Sequence, residues 1–443
     1  MPLYPHQSEG VAWLRDRSAA LLADDMGLGK TITALAASQA AGAWKILVVC
    51  PTVVLWNWKA EAEKWLVWPR VQVVADGRVE IDPDADVVVV THGLLLRPWI
   101  LSQLAAVEWD VLIVDEAHAF KSPGAKRTVA LYGTLAPCAE KVWLLTGTPC
   151  PNNVSELHTH LAGIAPERLM DPKLLRPLTH DRFIERFCLW RWTEYGKKIT
   201  GNRKDRLEEL KARLEGFVLR RKKAEVLPDL PPVRFETVFL RPLKLDRALA
   251  ALDSELAPRI RDAVAGATDA SEVFEALKDG EEFARFRRLC GVAKAHPVAD
   301  LLHAELDEGG LEKVVVFAHH KDVVEDIAAR LSRFGVRTIT GATSAEARAE
   351  RVADFQTSPL VRVMVCNIVA GGVGVTLTAA SEVVFAEQSW VPGDNAQAAD
   401  RCHRIGQTRR VRVRFMALAD TIDEAVTASL RQKARMLREV FGE

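Results

Sequence analysis

The chain has no net charge: 59 Lys and Arg stand against 59 Asp and Glu over 443 residues. A general positive field is excluded, so a nucleic-acid partner would have to be held by a local basic groove. No apolar stretch approaches the ~20 residues that cross a bilayer, and no membrane partner is expected. The N-terminus, MPLYPHQSEG, has no basic segment followed by an apolar one, so no secretion signal is visible. Cysteine is sparse and scattered (Cys50, Cys138, Cys150, Cys188, Cys290, Cys366, Cys402) with no C-x-x-C pair. A disulfide framework or zinc site is therefore not expected, and a reducing compartment fits. Short-period repeats and low-complexity tracts are also missing. What is present is a 49% hydrophobic composition, enough for two or three domains with cores of their own, and 12 tryptophans, most of them expected in packing.

Short β-rich apolar runs recur, each followed by polar or glycine-rich residues. They are Ala20 to Ala23, Ile46 to Cys50, Val87 to Val90, Val111 to Val114 and Val142 to Leu145, then Val314 to Phe317, Arg337 to Ile339, Val361 to Cys366, Val383 to Ala386 and Val411 to Met416. Near-continuous runs of this length read as buried parallel strands. Helical patterns lie between them. Val324, Ile327, Ala328, Leu331 and Phe334 form a stripe stopped by Gly335, and Thr343 with Glu346, like Thr421 with Glu424, reads as a capping box. The alternation predicts two tandem doubly wound α/β lobes. Residues 154 to 300 break the rhythm, being charged and helix-prone, and the prolines of LRRKKAEVLPDLPP (Leu219 to Pro232) suggest a linker. The expected division is 1–225 and 226–443, with helical protrusions at about 154–218 and about 240–295.

LADDMGLGKT (Leu22 to Thr31) departs from the strict G-x-x-x-x-G-K-[ST] pattern, because Asp24 stands where the first glycine would be. Gly27 and Gly29 still let the backbone approach a phosphate. Lys30 would reach the β/γ-phosphates of a triphosphate and Thr31 would ligate Mg²⁺, with Asp25, Met26 and Leu28 completing the loop. Asp115-Glu116-Ala117-His118 follows the run VLIV. Asp115 could hold the metal and Glu116 could activate a water. Thr146-Gly147-Thr148-Pro149 follows VWLL and could couple nucleotide state to motion, although T-G-T-P is also an ordinary turn. Gln7 could read adenine with an amide that donates and accepts at once. All three loops are expected at the carboxyl ends of neighbouring strands, where open parallel sheets bind ligands.

In the second half, QAADRCHRIGQT (Gln397 to Thr408) puts Arg401 and Arg404 three residues apart, on one side of a helix turn. They are candidate arginine fingers, or part of a basic patch with Arg409, Arg410, Arg412 and Arg414. Gly371-Gly372-Val373-Gly374 could cradle a phosphate of nucleotide or DNA, or form a flexible connection.

This ordered set, LADDMGLGKT, DEAH, LLTGTP, AGGVGVTLTAA and QAADRCHRIGQT, resembles the Swi/Snf-type ATPases of helicase superfamily two, from about Leu3 to Leu437. The final string, with Trp390, Pro392 and Gly393 ahead of it, looks closest to the annealing-helicase branch. The resemblance implies two RecA-like lobes, ATP and Mg²⁺ in a cleft, and double-stranded or branched DNA as partner. It implies adenine recognition by Gln7, phosphate and metal binding by Lys30, Thr31 and Asp115, water activation by Glu116, and γ-phosphate contact by Arg401 and Arg404 with Gln397 nearby. DNA-backbone contacts are implied near Pro51, Thr52, Thr91, His92, His319, Gly341, Ala342, Thr343, Gly371 and Gly372. Arg220 and Arg221 are implied to matter for coupling. The short linker and protrusions leave no room for a histone reader or partner-docking domain, so a bare motor, or a domain of something longer, is expected. It would be cytoplasmic and nucleoid-associated in a bacterium or phage, nuclear in a eukaryote. The competing readings are a strand-separating helicase, a motor displacing a protein such as RNA polymerase, and a non-catalytic DNA-binding scaffold.

Overall fold

The computed structural model describes residues 2–150, 153–173, 175–193, 196–241, 246–266, 281–371, 374–389, 392–428 and 430. Contacts divide the chain into two units, Met1–Pro228 and Asp229–Glu443. Gly372 and Val373 of the glycine motif, and Trp390, lie outside the described residues.

In the first unit, the main strands are β1 (Ala19–Leu22), β2 (Ile46–Cys50), β3 (Val71–Val74), β4 (Val87–Thr91), β5 (Trp109–Asp115) and β6 (Ala139–Leu145). With β11 (Val218–Leu219) they form one sheet in the order β11-β1-β6-β5-β2-β4-β3, and every pairing is parallel. All five residues of β2 and of β4 are buried, which is why these strands read as unbroken apolar runs rather than alternating ones. The region expected to be a helical protrusion does hold helices Glu156–Ile164, His180–Phe187 and Leu207–Leu214. It also holds two antiparallel pairs that the charged composition concealed. They are β7 (Met170–Asp171) with β8 (Arg176–Pro177), and a longer hairpin of β9 (Cys188–Thr193) with β10 (Gly196–Asn202).

The second unit has a six-stranded parallel sheet in the order β12-β17-β16-β13-β15-β14. Its strands are β12 (Val233–Leu240), β13 (Val314–Ala318), β14 (Val336–Ile339), β15 (Val363–Asn367), β16 (Glu382–Phe385) and β17 (Val411–Leu418). The pleat sends alternate residues to opposite faces. Val314, Val316 and Ala318 of β13 join a core with Leu302 and Ile327 from the helices Glu281–Asp307 and Lys321–Arg330. Val315 and Phe317 join another with Phe355 and Ala398. A core on each face is what makes the sheet doubly wound, as the alternation of strands and helices implied. Val324, Ile327, Leu331 and Phe334 of the expected stripe are buried and Ala328 is half-buried, but the helix itself ends at Arg330, and Gly335, at φ 66°, closes the short 3₁₀ turn Ser332–Phe334 that follows.

Both caps differ from expectation: Thr421 Oγ1 accepts from the Asp423 N–H at 3.2 Å and Glu424 Oε2 from the Asp420 N–H at 3.3 Å, so these two do not form the reciprocal box. Helix Ala345–Thr357 is capped by Ser344, whose hydroxyl accepts from the Ala347 N–H at 3.2 Å. Thr343 turns back instead, its Oγ1 accepting from the Thr340 N–H at 3.0 Å.

Candidate nucleotide site

In the first unit, the parallel sheet delivers the expected loops to one edge. β1 runs into Ala23–Gly29, β2 into Pro51 and Thr52, β4 into His92, β5 into Glu116 and β6 into Thr146–Pro149. Gly27 and Gly29 hold φ of 84° and 83°, a left-handed geometry that favours glycine, and Gly29 is the N-cap of helix Lys30–Ala40. An N-terminus presented by a glycine turn at the end of a strand is suited to an anion, because backbone N–H groups and the helix dipole both point outward.

Lys30 is the first residue of that helix. Its Nζ donates to the carbonyls of Asp24 at 2.6 Å and Asp25 at 3.2 Å. Burial lowers its pKa, while Glu116, Asp24, Asp115 and Asp25 pull the other way. Thr31 stands next in the same turn. Gly147 closes over the loop from β6: a Cβ there would lie 2.4 Å from Met26 Cγ and 3.5 Å from Lys30 Nζ. The lysine, the acids and the T-G-T-P loop are thus brought together.

Asp115 is held on both carboxylate oxygens. The Trp58 indole donates to Oδ2 at 2.9 Å and the Glu116 N–H to Oδ1 at 2.9 Å. Burial, with the neighbouring Glu116 charge, raises its pKa to about 6. Glu116 itself sits at φ 48°, an uncommon conformation for a side chain with a Cβ. His118 Nδ1 is 3.2 Å from Glu116 Oε2 and 3.1 Å from Thr146 Oγ1, so it bridges the acid motif to the T-G-T-P loop. Among the described residues no group of three or more His, Cys, Asp and Glu converges as a metal site of its own. A single carboxylate beside a helix N-terminus fits a metal that takes its remaining ligands from phosphates and water.

Gln7 is buried in the first helix, Pro5–Arg15, under the phosphate loop. It donates to the Leu28 carbonyl at 3.2 Å and accepts from the Tyr4 N–H at 3.0 Å, and a Cβ on Gly29 would come within 2.4 Å of its amide nitrogen. Thr52 is exposed, but Thr91 is buried. His92 is tied to the Asp115 carbonyl at 2.9 Å, and burial lowers its pKa to about 4.

In the second unit, the expected residues again gather at strand ends. His319 follows β13, and Gly341 to Thr343 follow β14, where Gly341 and Ala342 are exposed. Gly371, after β15, is buried, and a Cβ there would lie 2.4 Å from the Cys366 Cβ, so packing alone requires this glycine. Arg401 and Arg404 are not on a helix turn. The helix Pro392–Ala399 ends before them, where the Arg401 and Cys402 N–H groups turn to i→i−3 bonds with the Ala398 and Ala399 carbonyls. Arg404 donates to the Asp400 and Val375 carbonyls and to Thr376 Oγ1 at 3.2 to 3.3 Å, and Arg401 is 6% exposed. Gln397 lies in the last turns of that helix.

Sequence reading missed three parts of this machinery: Trp58 on Asp115, His118 between two motifs, and Glu387. The Glu387 carboxylate accepts from the His319 and His320 N–H groups at 2.8 Å each and from His320 Nδ1 at 2.6 Å. Trp58 carries no signal that separates it from core, whereas a carboxylate directly after an apolar strand, as at Glu387, could have been singled out like Asp115.

Comparison with known proteins covers both units. Residues 6–278 match the family model described as SNF2-related domain, and residues 294–406 match the helicase conserved C-terminal domain. The SWI/SNF-related matrix-associated actin-dependent regulator of chromatin subfamily A-like protein 1 of Xenopus tropicalis is 34% identical over 447 residues, covering 98% of this chain and 44% of that protein. The DNA annealing helicase and endonuclease ZRANB3 of Mus musculus is 33% identical over 449 residues, covering 98% and 40%. Among solved structures, the SWI2/SNF2 ATPase core of Sulfolobus solfataricus in complex with dsDNA is 26% identical, covering 99% of this chain and 93% of that one, with a TM-score of 0.46. The chain spans less than half the length of these two relatives.

Proposed function

The chain belongs to the SNF2-related family, and from that premise we propose that it is an ATP-dependent translocase on double-stranded DNA. Use of ATP follows from the family. Movement along duplex, with remodelling of branched or protein-bound DNA as its outcome, is our reading. The observation that carries it is the meeting of Lys30, Asp115, Glu116 and Gly147 at the N-terminus of one helix.

The phosphates of ATP would lie on the Gly27–Thr31 turn, with Lys30 exchanging its loop carbonyls for phosphate oxygens. Asp115 and Thr31 would hold Mg²⁺, which supplies charge neutralisation when bound. Glu116 would take a proton from the attacking water, with His118 fixing its carboxylate. Gln7 would serve adenine recognition from its place beneath Leu28. Arg401, Arg404 and Gln397 would serve the γ-phosphate, Arg404 after leaving the Asp400 and Val375 carbonyls. DNA phosphates would meet the exposed strand-end residues Thr52, Gly341 and Ala342, with Thr343 beside them and Pro51, Thr91, His92, His319 and Gly371 shaping their loops. Such contacts are largely sequence-independent and weaken with salt. The protein would act wherever its DNA is, nucleoid-associated in a bacterium and nuclear in a eukaryote.

The deciding experiment measures ATPase rate in parallel with no nucleic acid, single strand, duplex, forked DNA and RNA. Strong stimulation by duplex is expected, with third-strand displacement but little fork unwinding. Stimulation by RNA alone, or efficient unwinding without displacement, would overturn this reading in favour of a strand-separating helicase.

A further inference from the structure

The nucleotide loops occupy the carboxyl ends of the first unit's strands, which leaves the amino ends of β2 and β4 without a task in that chemistry. There the chain displays Trp44 and Trp68, 77% and 94% exposed, the most exposed tryptophans among the described residues. Both line one groove of about 200 Å³, together with Leu66, Val67, Ile46 of β2 and Val87 of β4. Small-molecule sites run to ~300–1,000 Å³. This groove has room for an apolar side chain or two, not for a cofactor. Exposed tryptophans around a small apolar recess are the composition of a protein interface.

The backbone singles out the same place. Trp68 sits at φ 52°, just after helix Leu55–Trp65 has ended. For so bulky a residue this conformation is an outlier, and glycine or asparagine would adopt it without strain. The chain instead holds an indole there, almost wholly in solvent.

Charge indicates what the groove would take. Asp86 lines it, and Asp110 accepts from the Trp44 and Lys45 N–H groups at 2.7 and 2.8 Å. The nearby cations are two. Lys45 Nζ donates to the Pro83 and Ala85 carbonyls at 2.6 and 2.8 Å, and Arg70 lies 3.8 Å from both Asp84 and Asp86. Helices Lys30–Ala40 and Leu55–Trp65 both end at the groove, each bringing the negative end of its dipole. Three carboxylates and two helix C-termini outweigh Lys45 and Arg70, so the rim is negative. Nucleic acid and anionic lipid are disfavoured there. An apolar side chain flanked by Lys or Arg fits, since the cationic heads can meet the carboxylates while their stems lie along the indoles.

We propose that this groove docks a basic, apolar segment of a partner protein, with Trp44 and Trp68 holding its anchor side chain and Asp84 and Asp86 meeting its cations. The surface lies at the opposite edge of the sheet from the nucleotide loops, and the proposal does not depend on the translocase reading.

The test titrates the full chain, by fluorescence anisotropy, with an array of fluorescein-labelled ten-residue peptides in four designs: leucines between arginines, leucines between glutamates, leucines between serines, and arginines between serines. Saturable binding is expected from the leucine–arginine design. Trp44→Ala and Trp68→Ala should each weaken it about tenfold, the loss of an aromatic anchor, and Trp68→Phe should recover most of that loss. Asp84→Asn should weaken it about threefold, the scale of one exposed ion pair, and more at low salt. DNA-stimulated ATPase should stay within about twofold of wild type in all four variants, which would show that the fold is intact. Absence of saturable peptide binding, equal binding of the arginine and glutamate designs, or tryptophan variants that bind like wild type would overturn the proposal. So would a self-association, seen by analytical ultracentrifugation, or a binding to phosphatidylcholine vesicles that Trp68→Ala abolishes, since the groove would then belong to a second copy or to a membrane. A wild-type chain without DNA-stimulated ATPase would overturn the translocase alone, and the peptide result would stand.

Discussion

Arg221 encloses the carboxylate of Asp24. Its backbone N–H and Nε donate to Oδ1 at 3.0 and 3.1 Å, Nη2 donates to Oδ2 at 2.5 Å, and Nη1 donates to the His6 carbonyl. Asp24 opens the phosphate loop, His6 belongs to the first helix, and Arg221 follows β11, so one guanidinium joins three segments far apart in sequence. Asp24 and Arg221 are 1% and 9% exposed. Glu9, 3.6 Å from Nη1, has a side chain 73% exposed and is too solvated to take the place of Asp24. Asp24→Asn is therefore expected to leave a buried charge unbalanced and to cost about 3–5 kcal/mol, read by urea unfolding. Arg221→Lys should recover little of this, because a point donor cannot grip both oxygens and the carbonyl together.

Glu116 and Lys30 should fail in different ways. Glu116→Gln keeps the shape of the side chain and its place beside His118 but removes the base, so kcat should fall by at least about 100-fold with nucleotide binding retained. Lys30→Ala should weaken nucleotide binding as well as turnover. Duplex binding should survive in both. Steady-state kinetics with a fluorescent nucleotide titration separates the two, and unchanged turnover in either variant would remove that residue from the site.

The strand-end loops were legible because buried parallel strands print themselves as apolar runs, and glycine, lysine and paired acids directly after such runs have few other uses. Asp24 was visible only as a departure from the glycine pattern. Its partner Arg221 lies 197 residues away, and no local signal joins them. The hairpin Cys188–Asn202 was hidden for a different reason. Its residues are charged and aromatic rather than β-branched, so periodicity does not mark it, and its order comes from the Val154 and Phe187 contacts at its root. β12 escaped notice beside a proline-rich segment, although in the sheet it pairs along its whole length with β17. The arginine pair was read on a helix that ends two residues too early, where the Arg401 and Cys402 N–H groups close i→i−3 bonds.

Gly147→Ala tests whether the T-G-T-P loop must close on the phosphate loop. The added Cβ would meet Met26 Cγ at 2.4 Å and Lys30 Nζ at 3.5 Å, so the two loops must part. Overpacking of this kind costs ~1–3 kcal/mol, and KM for ATP is expected to rise about tenfold. Met26→Ala in the same chain removes the obstructing side chain and should return KM most of the way, an interaction that a double-mutant cycle measures. If the two effects simply add, the loops do not meet there.

Acid should destabilise the first unit through His160, which is fully buried in helix Glu156–Ile164 and shares a 2.6 Å hydrogen bond with the Tyr132 hydroxyl. Its other ring nitrogen has no partner among the described residues. Burial, aided by His118, lowers its pKa from 6.5 to about 4. The sign follows from which state holds the proton. Between pH 6.5 and 4 the unfolded chain protonates this histidine and the folded chain does not, so stability is full above pH 6.5 and declines as pH falls through that window. The gap corresponds to an upper limit of about 3 kcal/mol. His160→Gln can still accept from Tyr132 but does not titrate, so its unfolding free energy should fall less than that of wild type between pH 7 and pH 5, by ~2 kcal/mol. Eleven of the 12 tryptophans lie within Met1–Pro228, so tryptophan fluorescence in urea follows this unit. Parallel pH profiles for the two proteins would mean that His160 is not held neutral by the fold.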